Sequence, residues 1–270
     1  MAKRKKQNKF VLLTYIWLLL KYIGIGIYML FALIVKGVSA LISLSHKRQK
    51  EKKQQAATAY AQFGLLSREE GSLTCFERML LTNESSIGIV IGARGSGKTA
   101  AALRVLENVH AKSDRQCYAL GFSKGNMPSW MTVVESQDDI HNGGFVVIDE
   151  GGILFNSRQS FSTPNKLLGN LMLIARHKSI SILFVSQNSS NLDVNILRQA
   201  DYLLLKRSSL LQERFERKIV GKIYEEKKGE FKQYVGKGTT YVYADSFRGF
   251  ITVSLPSFWT TTISKQWEKK

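Results

Sequence analysis

The sequence predicts an α/β fold in which helices cover a mainly parallel β-sheet, preceded by a transmembrane helix or hairpin. Three observations support this prediction. Strand and helix patterns alternate from about residue 71 to residue 256, which is typical of a parallel sheet with crossover helices. A glycine-rich segment at residues 92–99 joins an apolar run to a helix pattern. A long apolar run occupies residues 10–44, ahead of all these elements.

Five apolar runs are predicted to form the strands of the parallel sheet. They cover residues 87–91, 116–121, 145–149, 180–186 and 202–206. After residue 216 the pattern changes, and aromatic and β-branched residues predict short antiparallel strands. The residues that carry this second pattern are Tyr234, Tyr241, Val242, Tyr243, Phe250, Ile251 and Val253.

A helix is expected after Thr163, because this threonine suits an N-cap and Pro164 suits the first helical position. The apolar residues of this helix fall on one face, which predicts that they belong to the core. They are Leu167, Leu168, Leu171, Met172 and Ala175.

The glycine-rich segment reads GARGSGKT, which fills every fixed position of the phosphate-binding loop G-x-x-x-x-G-K-[ST]. Glycines let backbone N–H groups turn towards phosphate oxygens, and the helix that follows adds partial positive charge. We expect Lys98 to reach the β- and γ-phosphates of ATP and the Thr99 hydroxyl to bind Mg²⁺. The predicted nucleotide-binding residues are Gly92, Arg94, Gly95, Ser96, Gly97, Lys98 and Thr99.

A second motif follows about fifty residues later, where the apolar run FVVI ends in Asp149 and Glu150. Open α/β sheets bind ligands at the carboxyl ends of their strands. The motif therefore predicts that Asp149 helps to hold Mg²⁺ and that Glu150 is the base that orients the attacking water. An acidic residue after the aspartate indicates a motor-type ATPase, as does an extra strand between the two motifs, for which residues 116–121 are the candidate.

Two further side chains are candidates for the same chemistry. Gln187 follows the strand at 180–186, and the topology would place it beside the γ-phosphate. Arg176 ends a helix, where the helix dipole favours a cation in any case. It is equally a candidate arginine finger that reaches the nucleotide of a neighbouring subunit, with Arg198 and Arg207 in reserve.

The apolar run at 10–44 is long enough for a membrane anchor, either one tilted helix over residues 11–35 or a hairpin. A signal peptide is disfavoured because the run is too long, lacks a clean cleavage site and precedes a nucleotide-binding domain. Both flanks are basic, so the positive-inside rule does not choose an orientation. Access to ATP instead places the chain after His46 in the cytoplasm.

The predicted domain organisation has four parts. Residues 1–45 are a basic N-terminus and transmembrane anchor, residues 46–70 a basic juxtamembrane linker or helix, residues 71–256 the ATPase domain and residues 257–270 a C-terminal tail. The basic linker is either solvated or in contact with anionic headgroups, and the two interpretations are compatible.

The net charge is +18, which favours anionic partners such as nucleic acid, anionic lipid or both. Much of this charge flanks the apolar run, so it does not establish DNA binding by itself. Cys75 and Cys117 form no C-x-x-C pair, and neither a zinc site nor a disulfide framework is predicted.

These motifs resemble the FtsK–HerA branch of P-loop ATPases. The resemblance rests on the GARGSGKT loop and on IDE at 148–150 followed by Asn156, Ser157 and Arg158. Its most specific part is ARHK at 175–178, an apolar strand ending in Ser-Gln, and NLDVNILRQADYLLLKR at 191–207. This combination looks most like the zona-occludens-toxin-type (Zot-like) ATPases of filamentous phages, archaeal viruses and mobile elements. It is also similar to conjugative coupling proteins and viral packaging ATPases.

The resemblance covers roughly residues 85–207 and implies a RecA-like (ASCE) fold and a ring-shaped homo-oligomer. By this resemblance Lys98 and Thr99 match the phosphate-binding loop, and Asp149 and Glu150 match the Walker B motif. Gln187 and Arg176 match the family's third-motif glutamine and the arginine before that strand. In filamentous-phage relatives the membrane segment follows the ATPase, whereas here it comes first, as in FtsK and the coupling proteins.

Three functions are compatible with these features. The first is a membrane-anchored motor that moves DNA, or DNA with protein, in virus assembly or extrusion, genome packaging or conjugative transfer. The second is an ATPase that exports or assembles coat or secreted subunits without binding DNA. The third is a nucleotide-gated membrane scaffold, which Glu150 disfavours. Coat or mating-pore proteins are the protein partners that these roles imply.

Overall fold

The computed structural model describes residues 58–123, 125, 127–150, 164–260 and 263, together with residues 29, 33–39, 41–43 and 45. For residues 164–168 it describes the backbone alone. The chain divides into two compact units, Met1–Lys53 and Gln54–Lys270.

The described residues of the first unit are helical, and their large apolar side chains, among them Leu33 and Leu41, are exposed. Most of the predicted membrane segment at 10–44 lies outside the described residues. Within the part of the chain that is described, none of the helices combines the length and the apolar character that crossing a bilayer requires.

Within the described residues, the second unit is built on one sheet of nine strands, in the spatial order β1-β9-β8-β7-β2-β6-β5-β3-β4. In chain order the strands are β1 (Gly64–Gly71), β2 (Ile87–Ile91), β3 (Cys117–Leu120), β4 (Met131–Val134), β5 (Phe145–Asp149), β6 (Ser181–Ser186), β7 (Tyr202–Leu205), β8 (Thr239–Ala244) and β9 (Phe247–Thr252).

Seven helices of the second unit fall within the described residues. They are α1 (Leu73–Thr82), α2 (Lys98–Lys112), α3 (Pro164–Ala175), α4 (Val194–Gln199), α5 (Leu210–Phe215), α6 (Lys218–Glu226) and α7 (Lys228–Gln233). The predicted cap of α3, Thr163, lies outside the described residues.

The sheet has a parallel part and an antiparallel part. Strands β4, β3, β5, β6, β2 and β7 pair in parallel, whereas β8, β9 and β1 continue the sheet in antiparallel pairs. The parallel strands β2 and β6 are buried at every position, as expected for strands covered on both faces. All five predicted parallel strands are present, and the predicted antiparallel strands are β8 and β9. Tyr234, which we expected in a strand, instead follows α7.

The apolar side chains of the sheet form two cores, one on each face. In β2, Val90 packs with α1 and α2, whereas Ile89 and Ile91 pack with α3, α4, α6 and α7. This follows from the alternation of side chains along a strand. The predicted core residues Leu171, Met172 and Ala175 are buried in the second core, and the side chains of Leu167 and Leu168 lie outside the described part.

The position of the extra strand differs from the prediction. The strand predicted at 116–121 exists as β3, but it pairs with β5 and β4, outside the space between the two motifs. The strand that separates β2 from β5 is β6, which pairs with both. Periodicity identifies strands but not their order in a sheet, which explains the difference.

Both ends of the predicted domain also need correction. Residues 64–70, which we expected in the linker, belong to β1 and pair with β9. Part of the predicted C-terminal tail packs on the domain, since Phe258 and Ile263 are buried in the first core. One buried side chain of α2 holds both the N-terminal and the C-terminal segment: Glu107 accepts hydrogen bonds from the N–H groups of Ala59 and Ser257.

A single arginine ties together the edge at which the parallel strands begin. The Arg115 guanidinium donates to carbonyl oxygens just before β2, β5 and β6, and to the hydroxyl of Ser181. The carbonyls within hydrogen-bonding distance are those of Asn83, Glu84, Gly143, Gly144 and Ser179. Because all of its nitrogen atoms have acceptors, this cation is structural.

Candidate active site

The predicted phosphate-binding loop joins the C-terminal end of β2 to the start of α2. Gly95 and Gly97 have φ angles of 76° and 90°, in the left-handed region that residues with a Cβ rarely adopt. Space also restricts Gly97, because a Cβ on it would lie 2.9 Å from the carbonyl oxygen of Lys237. The shape of the loop therefore depends on these two glycines.

Lys98 begins α2, and its side chain folds back over the loop. Its Nζ donates to the carbonyl oxygens of Gly92 at 2.7 Å and Ala93 at 2.8 Å. Burial lowers the pKa of Lys98 to about 8, although nearby carboxylates oppose part of this shift. A bound anion would favour the charged form of this lysine.

The loop also carries polar groups that suit a phosphate ligand. Within the described residues, no acceptor is found for five of its backbone N–H groups, and the buried hydroxyl of Ser96 has no partner. The five N–H groups are those of Arg94, Gly95, Gly97, Lys98 and Thr99. Unpaired N–H groups at a helix N-terminus are a typical anion-binding arrangement.

The two predicted magnesium ligands lie together. The Thr99 hydroxyl donates to the Asp149 carboxylate with an oxygen–oxygen distance of 3.1 Å. A hydroxyl and a carboxylate are hard oxygen donors, and Mg²⁺ is usually held by one or two such protein groups together with phosphates and water. The two side chains therefore fit the predicted ion. Elsewhere among the described residues, no group of three or more histidine, cysteine or acidic side chains could hold a metal ion.

Glu150, the predicted base, is 6% exposed and lies directly after β5. The Ser186 hydroxyl donates to it at 2.5 Å, and the backbone N–H of Asn188 donates to the same hydroxyl at 3.3 Å. A buried carboxylate held by a neighbouring strand has a fixed orientation, which a general base requires.

Gln187 lies where the topology predicts. It follows β6, which is flanked by β2 and β5, and the register pairs Ile91 of β2 with Ser186. Its side chain is exposed, and its carbonyl oxygen accepts a hydrogen bond from Gln212 at 2.6 Å. Gln187 is thus at the same edge of the sheet as the loop and Glu150.

The structure adds a lysine that our sequence analysis missed. Lys206 directly follows β7 and is 1% exposed. Its Nζ donates to the carbonyl oxygen of Lys237 at 2.7 Å and to the Thr240 hydroxyl at 2.9 Å. Burial, with a smaller contribution from the charge of Lys98, lowers the pKa of Lys206 to about 7. A lysine directly after the apolar run YLLL was the available signal.

The candidate arginines occupy different places. Arg207 is beside the loop, since its carbonyl oxygen accepts from the N–H of Ala93 at 3.0 Å. Arg198 is exposed on α4. Arg176 is exposed after α3 and precedes β6, at the opposite edge of the sheet from the loop. The loop residues Asn156, Ser157 and Arg158 lie outside the described part of the chain.

The mainly parallel sheet, the glycine-rich loop after β2 and the Asp-Glu pair at the end of β5 define a domain of the P-loop NTPase class. The resemblance to Zot-type ATPases is confirmed for part of the chain: the family model of zonular occludens toxin (Zot) matches residues 120–210. This region includes Asp149, Glu150 and Gln187, whereas the phosphate-binding loop precedes it. A search of curated proteins gives no match.

Solved structures with similarity to the chain include the following three proteins. The DNA-packaging ATPase B204 from Sulfolobus turreted icosahedral virus is 16% identical, with a TM-score of 0.43, over 63% of this chain and 98% of that one. The pCW3 conjugation coupling protein TcpA is 13% identical, with a TM-score of 0.42, over 63% and 60%. The N-terminal domain of zonular occludens toxin from Neisseria meningitidis is 19% identical, with a TM-score of 0.32, over 45% and 76%. These likenesses are too low to carry an argument about function.

Proposed function

We propose that this chain is a membrane-anchored ATPase motor that couples ATP hydrolysis to the movement of DNA, alone or with protein. The observation that carries the proposal is the meeting of three features at one edge of the sheet. These are a loop whose N–H groups find no acceptor among the described residues and which carries a buried lysine, the Thr99–Asp149 pair, and the buried carboxylate of Glu150.

Each residue has a role in this proposal. The loop N–H groups and Lys98 bind the phosphates, and Thr99 and Asp149 hold Mg²⁺. When bound, Mg²⁺ would neutralise charge on the phosphates. Glu150, oriented by Ser186, accepts a proton from the attacking water. Gln187 contacts the γ-phosphate from the strand between the two motifs.

The setting of the motor rests on sequence features. The apolar run at 10–44 supports a membrane anchor, as one span or a hairpin, with the ATPase domain in the cytoplasm. The net charge of +18 supports binding to the phosphates of DNA without sequence preference.

We also propose that copies of the chain form a ring. Arg176 is exposed at the opposite edge of the sheet from its own loop, so a finger role for this arginine requires the nucleotide of a neighbouring copy. Arg207 is the alternative within one chain, because it already lies beside the loop.

The test is steady-state ATP hydrolysis by the full-length chain in detergent or liposomes, with and without DNA, at increasing salt. We expect Mg²⁺-dependent turnover that DNA stimulates at low salt, and that Lys98→Ala lowers about 100-fold or more. Lys232→Ala, at an exposed position on α7, is the matched control. Absence of turnover would contradict the ATPase proposal. Turnover stimulated by a coat protein but indifferent to DNA would instead favour protein export.

A further inference from the structure

The segment that carries Gln187 is bonded to the junction between α5 and α6. The Ser189 N–H donates to the Glu216 carboxylate at 2.7 Å, and the Ser189 hydroxyl donates to the same oxygen. The backbone N–H of Arg217 donates to the Ser189 hydroxyl at 2.8 Å, and the Arg217 side chain donates to the carbonyl oxygen of Ser189 at 3.1 Å. Ser189 is therefore held by four hydrogen bonds from two adjacent residues.

Gln212 extends this contact to Gln187 itself. Its Nε2 donates to the carbonyl oxygen of Gln187 at 2.6 Å and to the other carboxylate oxygen of Glu216 at 2.7 Å. Glu216 thus holds the segment at 187–189 in two ways, directly at Ser189 and through Gln212 at Gln187. Both carboxylate oxygens of Glu216 carry charge, which strengthens the hydrogen bonds that they accept from Gln212 and Ser189.

The other side of the same segment is tied to the catalytic carboxylate. Ser186 donates to Glu150 and accepts from the N–H of Asn188. Gln187 lies between this contact and the one made by Glu216. The backbone of Gln187 is consequently held on both sides, while its exposed side chain is left to meet a ligand.

We propose that Glu216 is a positioning residue for Gln187. It fixes the backbone at 187–189 so that the Gln187 amide is presented at the γ-phosphate, and it does so without touching the reacting atoms. The proposal rests on the proposed ATPase function. It also makes α5 part of the catalytic apparatus, although α5 lies outside the motifs that carry phosphate chemistry.

The test is a double-mutant cycle on ATP hydrolysis by the full-length chain, with Glu216→Ala, Gln187→Ala and the double variant. We expect Glu216→Ala to lower kcat ~10- to 100-fold through misplacement of Gln187, with KM changed less than about twofold. Because Glu216 acts through Gln187, the double variant should have the kcat of Gln187→Ala alone. Glu225→Ala, at an exposed position on α6, is the matched control and should match the wild type.

Glu216→Gln provides a second variant that retains one acceptor oxygen. It should lose less activity than Glu216→Ala, and it replaces the alanine variant if thermal unfolding shows that the latter is not folded. Additive decreases in kcat in the double variant, or a normal kcat in folded Glu216 variants, would contradict the positioning role of Glu216. Neither result would contradict the ATPase proposal. Absence of turnover in the wild type would overturn the ATPase proposal and this one with it.

Discussion

The two edges of the parallel sheet hold cations in different ways: Arg115 is half-buried at one edge, and Lys98 and Lys206 are buried at the other. Where the strands begin, the Arg115 guanidinium donates to carbonyl oxygens that precede three of the strands and to a serine hydroxyl. Where the strands end, Lys98 and Lys206 have two acceptors each, neither of them a carboxylate. Burial lowers the pKa of Lys98 to about 8 and that of Lys206 to about 7.

This difference distinguishes a cation that stabilises the fold from a cation that is available to bind a ligand. A buried cation with a full set of acceptors stabilises the fold and needs no ligand. A buried cation beside unpaired N–H groups costs free energy until an anion arrives, and such perturbed groups are enriched at functional sites. The comparison therefore supports our proposal that the edge with Lys98 binds phosphate, whereas the edge with Arg115 contributes stability.

The largest expected effect is on catalysis at the phosphate edge. Glu150→Gln should lower kcat roughly 100- to 10,000-fold, because the amide cannot accept the proton of the attacking water. Nucleotide affinity should be unchanged, since Lys98 and the loop remain. Single-turnover hydrolysis and equilibrium binding measure the two quantities. Glu225→Gln on α6 is the control, and unchanged turnover in Glu150→Gln would show that the base is another group.

The next effect concerns stability at the opposite edge. Arg115→Lys keeps the charge but cannot span the same carbonyls, so it should lower the free energy of unfolding by about 2–3 kcal/mol. Denaturant unfolding measures this change. Arg214→Lys on the exposed surface of α5 should change stability by less than about 0.5 kcal/mol. An equal decrease in the free energy of unfolding in the two variants would contradict the structural role of Arg115.

The smallest effect is a pH dependence of nucleotide binding. The pKa of free Lys98 is about 8, and the phosphates of a bound nucleotide raise it because they favour the ammonium form. Binding above pH 8 therefore takes up a proton, and the affinity should fall by up to about tenfold per pH unit between pH 8 and 10. Titration of an ATP analogue at pH 7.5 and 9.5 measures this. An affinity that is constant or rises over this interval would contradict the role of Lys98.

The sequence predicts the central parallel strands well, because strands buried on both faces are continuous apolar runs. Strands β2 and β5 have the predicted bounds. Strand β1 was missed because its sequence, GLLSREEG, is charged and mostly exposed at the edge of the sheet. Its pairing with β9 depends on residues far away in the chain, which local patterns do not report.

The contrast between local patterns and distant contacts also explains which site residues were predicted and which were missed. Lys98, Thr99, Asp149 and Glu150 belong to short motifs whose spacing reflects their chemistry. Lys206 acquires its environment from Lys237 and Thr240, more than thirty residues away. Contacts of this kind follow from the three-dimensional fold and have no sequence signature of their own.

The most direct test of the contrast between the two edges is calorimetric binding of ATPγS with Mg²⁺ at pH 7. The wild type, Lys98→Ala and Arg115→Lys would be compared as folded, full-length chains. If the phosphate edge alone binds nucleotide, the wild type and Arg115→Lys have the same Kd, and Lys98→Ala binds about 100-fold more weakly or not at all. Equal weakening in both variants, or no binding by the wild type, would contradict this assignment.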